Sequence, residues 1–288
     1  MHIFDVFLLE AIVNGILLGG ILALLALGLN LVFGVIDVVW ICYAELIMLG
    51  MYSVYYLHNV YHWPLALALL ACVLLVAALG ALLHVLVIRP VLGAEPINQL
   101  LVTGGVLFFL QAVATLAFGV EFKNVGVSLP TLQVGGMYLS FARLIAFAVA
   151  LGGMVAVYLF LKRTYIGTAI RAISQDRGIM PLMGVSANRI FVLTSALGGA
   201  LAGLAACLLV LQYDIHPAIG LTFGPITFLV CVLGGLGNLV GGFIAAFIFA
   251  QFISVGGYFL ALEWGYVLAF LFFIGMMFWR PQGLFGGK

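Results

Sequence analysis

Charge is nearly missing from this sequence. Its 288 residues carry 10 Lys and Arg and 9 Asp and Glu, or 7% in all. An ordinary soluble domain has roughly 25%. A soluble fold with so few charges would present its surface as one large apolar patch. The net charge of +1 leaves no basic footprint, so nucleic acid is not an expected partner. Only four cysteines occur, and Cys42, Cys72, Cys207 and Cys231 all lie in apolar stretches. They read as small buried hydrophobes, with neither a disulfide framework nor a metal site. His2, His58, His62, His84 and His216 do not share metal-ligand spacing. No Gly-x-x-x-x-Gly-Lys-Ser/Thr phosphate loop is present, so the chain itself is not expected to bind or hydrolyse ATP. A nucleophile paired with His, or an acid pair at membrane depth, is also lacking, which argues against an intramembrane enzyme. The opening residues, with Asp5 and Glu10 but no Lys or Arg, do not resemble a cleavable signal.

What the sequence does have is apolar length. Apolar residues make up 66% of it, and mean hydropathy is +1.35. In lipid the backbone must satisfy its own hydrogen bonds, as helices or as a closed barrel. A barrel strand alternates apolar and polar residues over about ten positions. The long unbroken runs here fit helices. The expected fold is therefore all-α: one polytopic transmembrane domain over residues 1–288, with eight or nine spans. Spans are expected near 8–33, 41–57, 64–88, 98–118, 141–161, 190–212, 222–236, 240–257 and 265–279. The seventh, bounded by Pro225 and the Gly234–Gly237 cluster, is short enough to be a half-helix or re-entrant segment.

Lys and Arg concentrate on the cytoplasmic side of membrane proteins. Lys162, Arg163, Arg171, Arg177 and Arg189 put loop 162–189 inside. Nine spans then place Arg89, Arg280 and Lys288 inside as well, with the N-terminus outside. A short helix is expected over 167–177, flanked by glycines. By composition it is either a solvated connector or a segment that docks on a partner.

The order of motifs resembles one family. Asn14-Gly15, Gly19, Ala26-Leu27-Gly28-Leu29 and Phe33-Gly34-Val35 are similar to the first span of LivH-type permeases, which belong to branched-chain amino acid ATP-binding-cassette importers. Glu45-Leu46, Met48-Leu49-Gly50 and Tyr52 resemble the family's next segment. Gly167-x-x-x-Arg171-Ala172 with Asp176 and Gly184 looks like its coupling loop. Gly234-Gly235-Leu236-Gly237-Asn238 with Gly241 resembles its late glycine motif. Arg280-Pro281-x-Gly283-Leu284-Phe285-Gly286 resembles its terminal signature. The resemblance implies a machine. A LivM-like second permease completes the path, and two ATPase subunits bind ATP and Mg. A periplasmic binding protein delivers substrate across the bacterial inner membrane. It also implies that Gly167, Arg171, Ala172, Asp176 and Gly184 contact the ATPases.

One stretch departs from the family. Where relatives carry small and polar residues, this chain has Trp40-Ile41-Cys42-Tyr43-Ala44 before Glu45. Either these aromatics line the path and alter selectivity, or they are interfacial anchors. In the first case the substrate could be another small molecule, such as an aromatic compound, a carboxylate or an amide. Pro181, where the family tends to have Ala, is expected to end the loop helix. Glu45 is the only acid well inside the early spans. It reads as a functional path residue or as a first-turn acid favoured by a helix N-terminus. Asn14, Asn30, Trp40, Tyr43, Glu45 and Asn238 are the path candidates. Gln99, Thr103, Gln111, Gln212 and Gln251 fit hydrogen bonding between helices better. The pairs Gly15/Gly19, Gly199/Gly203 and Gly237/Gly241 read as close-packing faces. An autonomous secondary transporter or channel is the alternative class. It would be expected to pair intramembrane charges for ion coupling.

Overall fold

A computed structural model describes residues 3–127, 130–134, 137–176, 184–259 and 261–286. Arg177, Gly178, Met180, Pro181 and Lys288 lie outside the described residues, and with them the expected break at Pro181. Eleven helices appear in the described residues: α1 Ile3–Ile36, α2 Tyr43–Tyr55, α3 Leu65–Leu83, α4 Arg89–Val91, α5 Pro96–Phe118, α6 Phe141–Arg163, α7 Tyr165–Gln175, α8 Ala187–Leu209, α9 Ile219–Gly234, α10 Leu239–Phe259 and α11 Leu262–Trp279. Wider π-type turns extend α2 to Val60 and join α3 to α4. Each of the nine expected spans falls on a helix. Six helical stretches are long and apolar enough to cross a bilayer, and Ile219–Gly234 and Glu263–Trp279 are shorter apolar ones. The all-α expectation misses one feature. Thr131–Val134 and Met137–Ser140 pair as an antiparallel hairpin, with Thr131 opposite Ser140 and Val134 opposite Met137.

The packing inverts that of a soluble protein. On α3 the buried stripe is Ala68, Cys72, Val76 and Gly80, small residues at helical spacing. The opposite face shows Leu67, Leu70 and Leu74, each more than half exposed. Lipid is as apolar as leucine, so helices gain by close approach of small residues rather than by hiding large ones. The stripe of α3 meets Gly199 and Gly203 of α8, where a Cβ at Gly203 would lie 3.0 Å from the Val73 Cα. Gly15 and Gly19 serve α10 in the same way, with Gln251 and Phe247 filling the space. Helix α1 runs through the middle of the bundle, packed on α6, α8, α9 and α10, and is mostly buried.

Between α1 and α2 the chain is not helical. Asp37 takes a left-handed turn (φ 58°), and residues 38–42 run back alongside α1. Tyr43 then starts α2 beside the middle of two other helices. Its hydroxyl donates to the Gly198 carbonyl at 3.2 Å and sits where Gly28 of α1 has no side chain. Gly198 is eleven residues from either end of α8. Thus α2 begins inside the bundle, not at its end. Irregular backbone at membrane depth is tolerated only where protein or a cavity surrounds it. Here the Val39 carbonyl accepts from Thr103 Oγ1 of α5 at 3.0 Å.

Candidate functional site

The broken start of α2 borders a cavity of about 260 Å³. Its wall comes from segment 39–44, from Leu100 and Leu107 of α5, and from one face of α9, from Gly220 to Phe228. Trp40 and Tyr43 lie edge to face, with centroids 5.7 Å apart and a 68° interplanar angle. Both are 2% exposed. Trp40 Nε1 donates to Cys42 Sγ at 2.9 Å. Both rings are interior, so neither is an interfacial anchor. Pro225 sits within α9 and has no N–H for the Leu221 carbonyl, and both residues line the cavity. Beside Gly220, Glu45 in the first turn of α2 is wholly buried.

A second site lies at the end of the bundle that carries α7. It is a cleft of about 790 Å³, lined by Tyr158, Leu161 and Lys162 of α6, Arg171 of α7, residues 236–240 and the C-terminal segment. The segment after α11 is clasped there. The Leu284 N–H donates to the Leu233 carbonyl at 2.7 Å, and Asn238 Nδ2 donates to the Phe285 carbonyl at 3.0 Å. Asn238 Oδ1 accepts from the Gly241 N–H at 2.9 Å. The Asn30 Oδ1 of α1 accepts from the Gly237 N–H at 3.1 Å, and Gly237 (φ 81°) packs backbone to backbone on Gly34. A Cβ at Gly234 or Gly241 would collide with the other's backbone.

Helix α7 folds back on α6 at this cleft. The Thr164 side chain caps it, accepting from the Gly167 N–H at 3.0 Å. That cap sets the helix at 165–175, two residues earlier than the expected 167–177. A side chain at Gly167 would run into the carbonyl of Phe160 and the backbone of Leu161. Ala169, Ile170 and Ile173 are buried, while Arg171, Ser174 and Gln175 are exposed. The helix is amphipathic, docked by one face and open on the other.

The branched-chain amino acid transport system permease component family matches residues 11–277. The chain belongs to this family. A high-affinity branched-chain amino acid transport system permease protein, BraD of Pseudomonas aeruginosa, is 29% identical over 294 residues, covering 96% of this chain and 95% of that protein. LivH of Salmonella typhimurium is 27% identical over 299 residues, covering 97% and 96%. Among solved structures, PsaBC from Streptococcus pneumoniae in complex with Fab aligns with 99% of this chain and 94% of that chain, at 16% identity and a TM-score of 0.48. The protein is thus a multi-pass membrane permease, not a soluble domain.

Within this permease the six path candidates divide among three places. Trp40 and Tyr43 line the membrane-depth cavity, and Glu45 lies behind its wall against Gly220. Asn30 and Asn238 belong to the clasp. Asn14 lies toward the other end of α1, where its Oδ1 accepts from the Arg143 guanidinium at 2.8 Å. Of the five loop positions, Gly167, Arg171, Ala172 and Asp176 fall on or just after α7, with Arg171 and Asp176 exposed. Gly184 (φ 77°) lies beyond residues 177–183, which fall outside the described set, with open space around it. Sequence reading missed Gly220 and Gly224 as cavity wall, while Thr103, expected to hydrogen-bond a neighbouring segment, does so at the Val39 carbonyl. Pro225 in a short apolar span was the signal for the first two. Gln99 and Gln251 bond backbone carbonyls of Val91, Ala94 and Ile12, the role expected of them.

Proposed function

We propose that this chain forms half of the transmembrane path of an ATP-driven importer for a branched-chain or related hydrophobic amino acid. The supporting observation is the family match over residues 11–277, joined to an apolar cavity at the broken start of α2. A LivM-like permease completes the path, and two ATPase subunits hold ATP and Mg. A periplasmic binding protein hands over the substrate. The protein resides in the bacterial inner membrane, with the N-terminus periplasmic and the α7 end cytoplasmic. The exposed face of α7, carrying Arg171 and Ser174 with Ala172 at its edge and Asp176 and Gly184 beyond, docks the ATPases, while Gly167, buried against α6, seats the helix for that contact. Its buried face transmits their movement to α1 and α6. Trp40 and Tyr43 in the cavity wall favour a second reading of selectivity, in which aromatic side chains or another small carboxylate or amide are carried.

Deleting the chain from its host should abolish uptake of the cognate amino acid, and restoring it should recover uptake. Arg171→Glu reverses charge on the exposed face without touching the core. It should abolish uptake and transport-stimulated ATP hydrolysis while the protein stays in the membrane at its normal level. Normal uptake by that variant would sink the coupling role.

A further inference from the structure

Glu45 has no hydrogen-bond partner among the described residues. Both carboxyl oxygens are buried and receive no hydrogen bond, and the residue has no exposed surface. Two helix N-termini face it: that of α2, which contains it, and that of α9, through Gly220. Those positive ends permit negative charge there. They do not neutralise it, and among the described residues no Lys, Arg or His lines the adjoining cavity. Burying an unpaired ion is costly. Gly220 touches both places, since it lines the cavity and a Cβ on it would lie 2.5 Å from Glu45 Oε1. Gly220 is thus the wall between the cavity and the carboxyl, and it carries no side chain.

The rest of the wall fits a cation on an apolar body. The Trp40 indole N–H is committed to Cys42 and the Tyr43 hydroxyl to Gly198, so what these residues offer the cavity is ring. Aromatic faces attract ammonium groups. Pro225 releases the Leu221 carbonyl from its helical bond at the same wall. At about 260 Å³ the cavity is below the usual range for drug-sized ligands and suits one amino-acid side chain.

We propose that Glu45, Trp40 and Tyr43 form an ammonium-recognising subsite, in which Glu45 receives the α-ammonium of the passing amino acid while the apolar wall takes its side chain. The identity of the occupant rests on the proposed permease function. The subsite selects for the amino group and is indifferent to the loss of the carboxylate.

The test uses the full chain in lipid nanodiscs, with leucine, 3-methylbutylamine and 4-methylpentanoate as probes. Ligands that bind only the folded state raise its melting temperature. Leucine and the amine should raise it, and the acid, which keeps the side chain but lacks the ammonium, should not. Glu45→Gln should weaken the amine response about tenfold or more in apparent affinity, as loss of a charge-assisted bond requires. Glu45→Asp should keep part of it. An acid response equal to that of the amine overturns the subsite, and so does an unchanged amine response in Glu45→Gln. If Glu45→Gln does not accumulate, the amine-against-acid contrast in the unaltered chain decides alone. Uptake separates the two claims. Leucine uptake that does not need the chain, alongside intact amine binding, rejects the transported substrate and leaves the subsite standing. Uptake that needs the chain, without amine binding, does the reverse.

Discussion

The clasp and the cavity are built from the same materials and treat polar groups in opposite ways. Each joins glycines to a break in helical structure, and each involves α1 and α9. In the clasp, polar groups are bonded from Asn30 Oδ1 to Gly237 and from Gly241 through Asn238 to Phe285, and Asn30 Nδ2, packed against Gly242, is the one clasp side-chain atom buried without a hydrogen-bond partner among the described residues. At the cavity, the aromatic polar tips are turned away, and behind Gly220 a buried carboxyl has no hydrogen-bond partner among the described residues. Buried polar groups are normally satisfied, and an exception calls for an explanation. The clasp therefore reads as structure that holds the α7 end together. The cavity reads as a site whose missing partner arrives from outside the chain.

If that contrast is right, damage to the clasp should register as lost stability. The largest effect is expected from Gly241→Ala, which drives a methyl into the Gly234 carbonyl with Phe285 behind it. Overpacking of this kind costs about 1–3 kcal/mol or more. Thermal unfolding in nanodiscs should show a clearly lower midpoint, and an unchanged one would mean that the clasp is loose. Asn238→Ala comes next. It deletes two hydrogen bonds and orphans the Gly241 N–H, at about 1–3 kcal/mol. It should also free the C-terminal segment, so proteolysis after Arg280 should quicken while the rest of the chain resists.

The helical fold was largely legible because lipid imposes a simple demand, an apolar run of sufficient length. All nine expected spans coincide with helices. The interruption before α2 was legible, since the expected spans end at 33 and resume at 41, but its depth inside the bundle was not. Val38, Val39, Trp40 and Ile41 are as apolar as the helices on either side, so hydropathy does not report how deep the interruption lies. Only the tertiary contacts of Val39 and Tyr43 reveal it. The hairpin at 131–140 was hidden for another reason, since strands of four residues carry too little alternation to be read. The loop helix was visible in outline, yet its true start depends on one Thr164 cap bond. The glycine and terminal motifs were visible as separate resemblances. Their meeting in one clasp spans Asn30 to Phe285 and is a long-range fact that no local pattern encodes.

The smallest expected effect on stability is the sharpest test of the comparison. Glu45→Gln keeps the volume and removes the charge. Were Glu45 a structural residue like Asn238, its loss would destabilise the fold. As an orphan it contributes nothing by pairing, and its desolvation weighs against folding. The variant's melting temperature should therefore equal that of the parent or exceed it, by an amount corresponding to about 0–2 kcal/mol. Uptake by the same variant should fall. A residue that weakens the fold and strengthens transport is one kept for its work on substrate. A lower melting temperature in Glu45→Gln would show instead that the carboxyl holds α2 and α9 together, and the cavity would then belong with the clasp.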